Sequence, residues 1–319
     1  MKPCLRLSSV IGLVVSLTAC QILESAGTAP AISRDRCEAD GDFVFIPAEP
    51  FVSGSDRVER DFAYRISAEA SADSPGEVAK TEQRLRDRKW FDREADRQQR
   101  TAADLPSFCL SRNLVTNEDY LAFVQATGHR TPGISAQDYQ EQGFLVHPYS
   151  EVKPFLWRGD RYPEGEGQHP VVLVSYEDAE AFATWHGEQD GATYRLPTAP
   201  EWEKAARGTD GRYFPWGNDW QPEATNSASS GLWHTSAIAS FPLSRSPYGV
   251  EDMAGNVFEY TSTLRSRGED TVAVMKGCSW DDLPGFCRAA YRHTRPIDSR
   301  HILFGFRLVK VAASQGEQE

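Results

Sequence analysis

Asp252-Met253-Ala254-Gly255-Asn256-Val257-Phe258-Glu259-Tyr260 sits within a long stretch rich in Gly, Pro, Trp and Asn. That composition implies irregular, tightly packed loop rather than long regular elements. Three short helices are expected upstream of it. Residues 198–207 carry Pro200 in the first turn and Gly208 after the end. Residues 175–186 begin at a capping Ser175 with Asp178 as capping-box acid, and Ala179, Phe182 and Trp185 share one face. Residues 116–126 are amphipathic, with Thr116 as N-cap and Gly128 beyond. Further back, 42–51 reads as a strand closed by prolines. Residues 66–80, small and polar, read as a loop. Residues 82–100 read as a solvated helix with Leu85, Trp90 and Phe91 as its large apolar residues, or as a helix that docks a partner. Together, about 66–104 forms a charged helical insertion. The chain shows no internal repeat and no second domain boundary.

The N-terminus has an export pattern. Lys2 and Arg6 precede an apolar run at 7–17 that is too short to span a bilayer as a helix. Leu17-Thr18-Ala19-Cys20 then supplies small residues before a cysteine, the arrangement of a bacterial lipoprotein cleavage site, with Cys20 carrying the lipid. Residues 1–19 are thus expected to be a signal peptide, 20–39 a tether, 40–312 the folded domain and 313–319 a disordered tail. Gln21 after the lipidated cysteine resembles lipoproteins sent to the outer membrane, on its periplasmic face in a Gram-negative cell.

The full chain has 319 residues, 40% hydrophobic, and a formal charge of −12. Losing the signal removes Lys2 and Arg6 and no acid. Such acidity argues against nucleic acid and against an electrostatic grip on anionic lipid, so the membrane is reached through Cys20 alone. Cys37, Cys109, Cys278 and Cys287 remain after Cys4 leaves and Cys20 is lipidated. An even count in an oxidising compartment suggests disulfides with three possible pairings. Cys37–Cys109 with Cys278–Cys287 is the favoured one. A reactive thiol or a soft-metal site is the alternative, although CxxC spacing is absent.

Taken in order, several motifs add up. Phe43-Val44-Phe45-Ile46-Pro47 and Gly54-Ser55-Asp56 come first, followed by Val115-Thr116-Asn117 and Pro170-Val171-Val172-Leu173-Val174-Ser175. Next are Arg195-Leu196-Pro197-Thr198, Glu201-Trp202-Glu203-Lys204-Ala205-Ala206-Arg207-Gly208 and Pro215-Trp216-Gly217. The run Asp252 to Tyr260 precedes Lys276-Gly277-Cys278-Ser279-Trp280, Cys287-Arg288-Ala289-Ala290, Arg292 and Gly305-Phe306-Arg307. This series resembles the formylglycine-generating enzyme family, also called the sulfatase-modifying factor family. The resemblance implies an α+β, C-type-lectin-like fold with much irregular loop. It does not fix the reaction. Members range from copper-dependent enzymes that oxidise a sulfatase cysteine, through iron-dependent sulfoxide synthases, to domains that serve binding alone.

The resemblance also sets expectations for sites. The formylglycine-generating enzymes place a catalytic cysteine two residues after Ser-Trp, and here that position is Asp282. Cys287 matches the cysteine before Arg found in members without the catalytic pair, and Cys278 replaces a glycine. Cys278 and Cys287 are therefore either a structural disulfide or a displaced redox pair. Copper or iron stays possible without support from the motif. None of the seven histidines forms a His-x-x-x-His-x-Glu pattern, and His293 and His301 lie near the expected active face. In the family the run from Asp252 wraps a Ca²⁺. Asp252 and Glu259 would give carboxylates, and Gly255 and Val257 carbonyls, with a buried turn and a Glu259–Arg pair as the alternative. A second calcium site would begin at Asn226 but lacks its later acid. Arg195, Glu201, Arg207, Arg292 and Arg307 read as scaffold ion pairs, and Trp202, Trp216 and Trp280 as core.

The function expected is that of a lipid-anchored envelope protein. It would bind or process a periplasmic protein, peptide or glycan at the face of Ser279, Asp282 and His293, rather than generate formylglycine. A metal-dependent oxidoreductase using Cys278 and Cys287, and a structural partner docked through 82–100, are the alternatives.

Overall fold

The structure is a computed structural model that describes residues 32–39, 41–144 and 146–311. The signal segment, Cys20 and the tail at 313–319 lie outside the described residues. Helices α1 (Arg34–Glu38), α2 (Arg57–Ser71), α3 (Pro75–Asp87), α4 (Asn117–Thr127), α5 (Ala136–Glu141), α6 (Tyr149–Val152), α7 (Tyr176–Asp190) and α8 (Ala199–Arg207) alternate with short strands and long loops. The strands are β1 (Phe43–Ile46), β2 (Phe51–Ser53), β3 (Gln98–Arg100), β4 (Phe108–Ser111), β5 (Thr193–Arg195), β6 (Phe258–Arg267), β7 (Asp270–Lys276), β8 (His293–Pro296), β9 (Phe304–Gly305) and β10 (Val309–Val311). The architecture is α+β with much irregular loop, as expected.

One sheet, in the order β1-β4-β10-β5, is antiparallel and joins the two ends of the domain: Phe45 pairs with Cys109, and Val309 with Leu110. The second sheet, β8-β7-β6-β9, is built on the β6–β7 hairpin, with a register shift between Tyr260 and Leu264 and with β9 parallel to β6. β2 and β3 make a small separate pair.

Thr116 and Ser175 cap their helices as expected, and Thr198 adds a third cap. Thr116 with Asp119, Ser175 with Asp178 and Thr198 with Glu201 are each complete capping boxes. Gly128 ends α4 in the left-handed conformation. α7 runs beyond residue 186 to Asp190 before Gly191 stops it the same way.

Two expectations fail in the insertion. The loop expected over 66–80 is mostly helix: 66–71 end α2, 75–80 begin α3, and only 72–74 connect them. The side chains at the end of α2 are small because the helix packs closely on the turn Pro284–Cys287. A Cβ on Gly285 would stand 2.6 Å from the Ala63 carbonyl oxygen, and the Gly285 amide donates to Ser67 Oγ at 2.9 Å. The helix expected over 82–100 stops at Asp87, because Phe91 turns fully into the core against Tyr64, Phe286 and Tyr291. The last part of the expected tether is also structured. Ile32 and Cys37 are buried, and Cys37 bonds to Cys109 at an S–S distance of 2.05 Å, pinning α1 to β4. Cys278 bonds to Cys287. The favoured pairing is therefore the one that forms.

Ionic groups are buried with their partners. Arg288 reaches Glu59 at 3.0 Å and also binds Glu94, and Arg207 holds Glu59 and Glu203 at 3.3 and 3.0 Å. Arg195 forks onto Glu201, and Arg307 onto Glu259. Arg292 departs from the expectation of an ion pair: its guanidinium donates to the Arg93 carbonyl. Trp202 and Trp280 are core, and Trp216 is half-buried, stacked on Phe214.

Candidate functional site

The loop 277–292 leaves β7, closes the Cys278–Cys287 disulfide and returns into β8, which pairs with β7 through Met275 and His293. This hairpin-like excursion forms one wall of a cavity of about 590 Å³. Asp281, Asp282, Tyr291, Arg292, His293 and Arg295 come from it. β6 adds Arg265 and Arg267, and the irregular stretch after α3 adds Trp90 and Arg93. The charged insertion thus supplies a wall of the site. Phe258, Phe286 and Phe304 complete an aromatic lining, and Arg93, Arg265, Arg267, Arg292 and Arg295 border the same cavity.

Asp282 faces this space and is tied to a chain of polar groups behind it. The Ser279 amide donates to Asp282 Oδ2 at 2.8 Å. Ser279 Oγ contacts both that same oxygen and Asp281 Oδ1, the latter at 2.6 Å. Asp281 Oδ2 meets His147 Nε2 at 2.9 Å, and His147 Nδ1 meets Glu151 Oε2 at 2.8 Å. Glu151 is exposed and Ser279 fully buried.

A hydroxyl has one proton and cannot donate to two carboxylates at once. Burial, then the charge of Asp281, push the Asp282 carboxyl up to about 8. Burial pulls His147 down, but its bonds to Asp281 and Glu151 outweigh that and hold it above the usual histidine range. Asp282 keeps its proton to higher pH than an ordinary carboxyl and can donate it to Ser279 Oγ, which leaves the Ser279 proton for Asp281, and Asp281 in turn meets His147, whose pairing favours its charged form. The order is not that of a Ser-His-Asp triad, because the carboxylate lies between the serine and the imidazole.

His293 and Asp282 both line the cavity, with Ser279 behind Asp282, so these three expected residues do converge. The two histidines of this face are packing groups. His293 stacks on Phe258 at 4.7 Å between centroids, and burial holds it well below the usual range. His301 bonds to Tyr139 Oη, and burial followed by the charge of His147 takes it down to about 3. Cys278 and Cys287 are fully buried and neither lines the cavity. Sequence reasoning missed His147, Asp281, Arg295 and Trp90. The doubled acid after Ser-Trp was the available signal for Asp281, whereas nothing local marked His147.

The run from Asp252 holds left-handed backbone at Asp252, Gly255 and Asn256, and a Cβ on Gly255 would meet the Asn226 carbonyl oxygen at 2.4 Å. Asp252 Oδ2 accepts from the Ala239 amide, and burial pushes its carboxyl up to about 6. Gly255 accepts from the Val257 amide at 3.0 Å, and both Glu259 oxygens sit on Arg307 at 2.5 and 2.8 Å. Among the four expected calcium donors, Asp252 best keeps the chemistry of a ligand, a buried acid short of positive charge. Asn226 ties its loop to the His234 carbonyl and accepts from Ser230 Oγ.

The sulfatase-modifying factor enzyme 1-like domain (FGE-sulfatase) matches residues 40–312. The chain is 34% identical over 199 residues to the inactive C-alpha-formylglycine-generating enzyme 2 of Mus musculus, covering 53% of this chain and 62% of that one. It is 28% identical over 233 residues to hercynine oxygenase of Mycolicibacterium smegmatis, covering 64% and 53%. The chain thus spans less than two thirds of the length of these relatives. The structure of PvdO from Pseudomonas aeruginosa matches with a TM-score of 0.59 at 22% identity, covering 90% of this chain and 98% of that one, which shows the fold. With these matches, the chain belongs to the sulfatase-modifying factor enzyme 1-like (FGE-sulfatase) family.

Proposed function

We propose that this chain is an exported, lipid-anchored envelope protein whose cavity binds an acidic segment of a periplasmic peptide, protein or glycan and presents it to the Asp282 acid. The observation that carries this reading is Asp282 on the cavity wall among five arginines, at the position where the family resemblance implies a thiol. Arg93, Arg265, Arg267, Arg292 and Arg295 gather positive charge at one place on a protein whose formal charge is −12. The aromatic walls give such a ligand apolar contact. Authentic formylglycine generation needs a thiolate pair, and here the two cysteines of the loop, Cys278 and Cys287, are bonded to each other and buried. The competing oxidoreductase reading requires that disulfide to open first.

The test is a titration of the full-length protein with acidic aromatic peptides and with uronic-acid oligosaccharides, followed by Trp fluorescence. Arg267→Glu is expected to weaken binding roughly tenfold, and raised salt to act in the same direction. Equal affinity for a neutral ligand of the same length, untouched by Arg267→Glu, sinks the reading. Anchoring is tested separately. Cys20→Ser is expected to move the protein from the membrane to the soluble fraction, and unchanged fractionation refutes the lipid. We also propose Ca²⁺ as a structural ion at Asp252, with the backbone carbonyls of the same loop.

A further inference from the structure

We propose that Glu166, His169 and His234 form a binding site for a divalent first-row transition ion, with Zn²⁺ as its best-suited occupant. None of the three lines the cavity, and the loop that carries His234 runs on to Ser236 and Ala239, whose amides donate to Asn256 and Asp252. One ligand atom from each of the three side chains lies within 4.8 Å of the others. His234 Nε2 and Glu166 Oε1 are 3.6 Å apart, close to the roughly 3.3 Å edge of a tetrahedron with metal–ligand bonds near 2.0–2.1 Å. The remaining separations, none beyond 4.8 Å, close by side-chain rotation. Two imidazoles and a carboxylate on a half-exposed surface leave a fourth position for water, which is the donor set that borderline ions take.

The groups behind the ligands are arranged as a metal site requires. His234 Nδ1 donates to the Thr235 carbonyl at 3.2 Å, which fixes its tautomer and leaves the Nε2 lone pair facing Glu166. His169 Nδ1 is held by Thr235 Oγ1 at 3.0 Å. One residue therefore orients both rings. Phe155 stacks flat on His234 with centroids 4.1 Å apart, which removes the ring's freedom to swing away. The two ligand loops are themselves tied down. Asn117 Nδ2 at the start of α4 donates to the Glu166 carbonyl at 2.8 Å, and the Asn117 amide to the His169 carbonyl at 2.9 Å. The Ile238 amide crosses from the second loop to the Gln168 carbonyl at 2.9 Å. Glu166 and His169 are three residues apart in one turn, while His234 comes from a loop far along the chain, so a bound ion would clasp the two loops together.

Chelator-stripped full-length protein is titrated with Zn²⁺ by calorimetry and, separately, with Co²⁺, whose visible spectrum reports coordination geometry. The expected result is one Zn²⁺ per chain and an intense Co²⁺ visible band typical of four-coordination. His234→Ala and Glu166→Gln are each expected to lower Zn²⁺ affinity by at least a hundredfold. Glu166→Gln keeps the size of the side chain, so it reads the site even if His234→Ala disturbs the loop. His129→Ala, a histidine paired with Asp178 elsewhere, is expected to leave affinity unchanged. Absence of Zn²⁺ binding, or binding that survives both ligand variants or is lost in His129→Ala, overturns the site and leaves His234–Glu166 as an ordinary ion pair.

Discussion

Two pairs of acids flank the loop 279–292, and they are treated in opposite ways. Glu59 and Glu94 are deeply buried, yet Arg288 bridges them, Arg207 and Arg97 add to Glu59, and Ser55 Oγ donates to Glu94. Asp281 and Asp282, a few residues earlier on the same loop, share one serine hydroxyl and one imidazole, with Arg295 acting on Asp282 from farther away. The first pair is charge met by three guanidinium groups, although burial still leaves the Glu59 carboxyl above its usual range, and it fixes the packing of α2 against the loop. The second is charge left short of compensation at the wall of a cavity, where a proton makes up the difference. Structural acids are met by guanidinium groups. Acids that can exchange a proton with a ligand are not.

The strongest way to break this contrast is to remove the bridge. Arg288→Met leaves two buried carboxylates without their common partner and is expected to cost about 3–5 kcal/mol in urea unfolding. A cost below about 1 kcal/mol would mean that the first pair is no better compensated than the second. The disulfide comes next. Replacing Cys278 and Cys287 together by Ala opens a short covalent loop, with an expected loss of about 2–3 kcal/mol on chain-entropy grounds. Binding at the cavity should persist in that variant once folded. Loss of binding with stability intact would instead make the cysteines functional.

The third effect is read in pH. Asp282 is raised to about 8 in the fold from near 4 in the unfolded chain. The folded state therefore holds an extra proton between these values. The contribution of Asp282 is fully present below about pH 4 and is lost as pH rises towards about 8. His301, taken down to about 3, acts oppositely: its contribution is present above about pH 6.5 and is lost as pH falls towards 3. The two slopes oppose each other, so the reading is the difference between the protein and Asp282→Asn. The protein should lose stability relative to the variant across pH 4–8, measured by urea unfolding at each pH. Parallel curves would place Asp282 among the compensated acids.

What the sequence revealed follows the distance over which each feature is determined. Capping is settled within four residues, so Thr116 and Ser175 were legible as caps at sight, and the Thr198–Glu201 box, equally local, was read only as the start of a helix. Asp282 was legible because it stands at a fixed offset from Ser279-Trp280. The run at 66–71 was not, because its small side chains answer to Gly285, 218 residues from Ser67. His147 was invisible for the same reason, since its partner Asp281 lies 134 residues away. The choice for Glu259 between an ion and Arg307 likewise rested on a contact 48 residues off.

Asp252 stands between the two pairs and gives the smallest expected effect. It is about as buried as Glu59 and, like both Glu59 and Asp282, is pushed upward by burial, here to about 6. If Ca²⁺ is its missing compensation, added Ca²⁺ should raise the melting temperature of the protein by about 2–4 °C, the response of a domain this large to roughly 1 kcal/mol. The shift is small because Glu259 already has Arg307 and would bring little uncompensated charge to the ion. Asp252→Asn keeps the bond to the Ala239 amide and should abolish the shift. In chelator the two proteins should differ little. An equal shift in both, or none in either, would put Asp252 with the proton-holding acids and remove calcium from this loop.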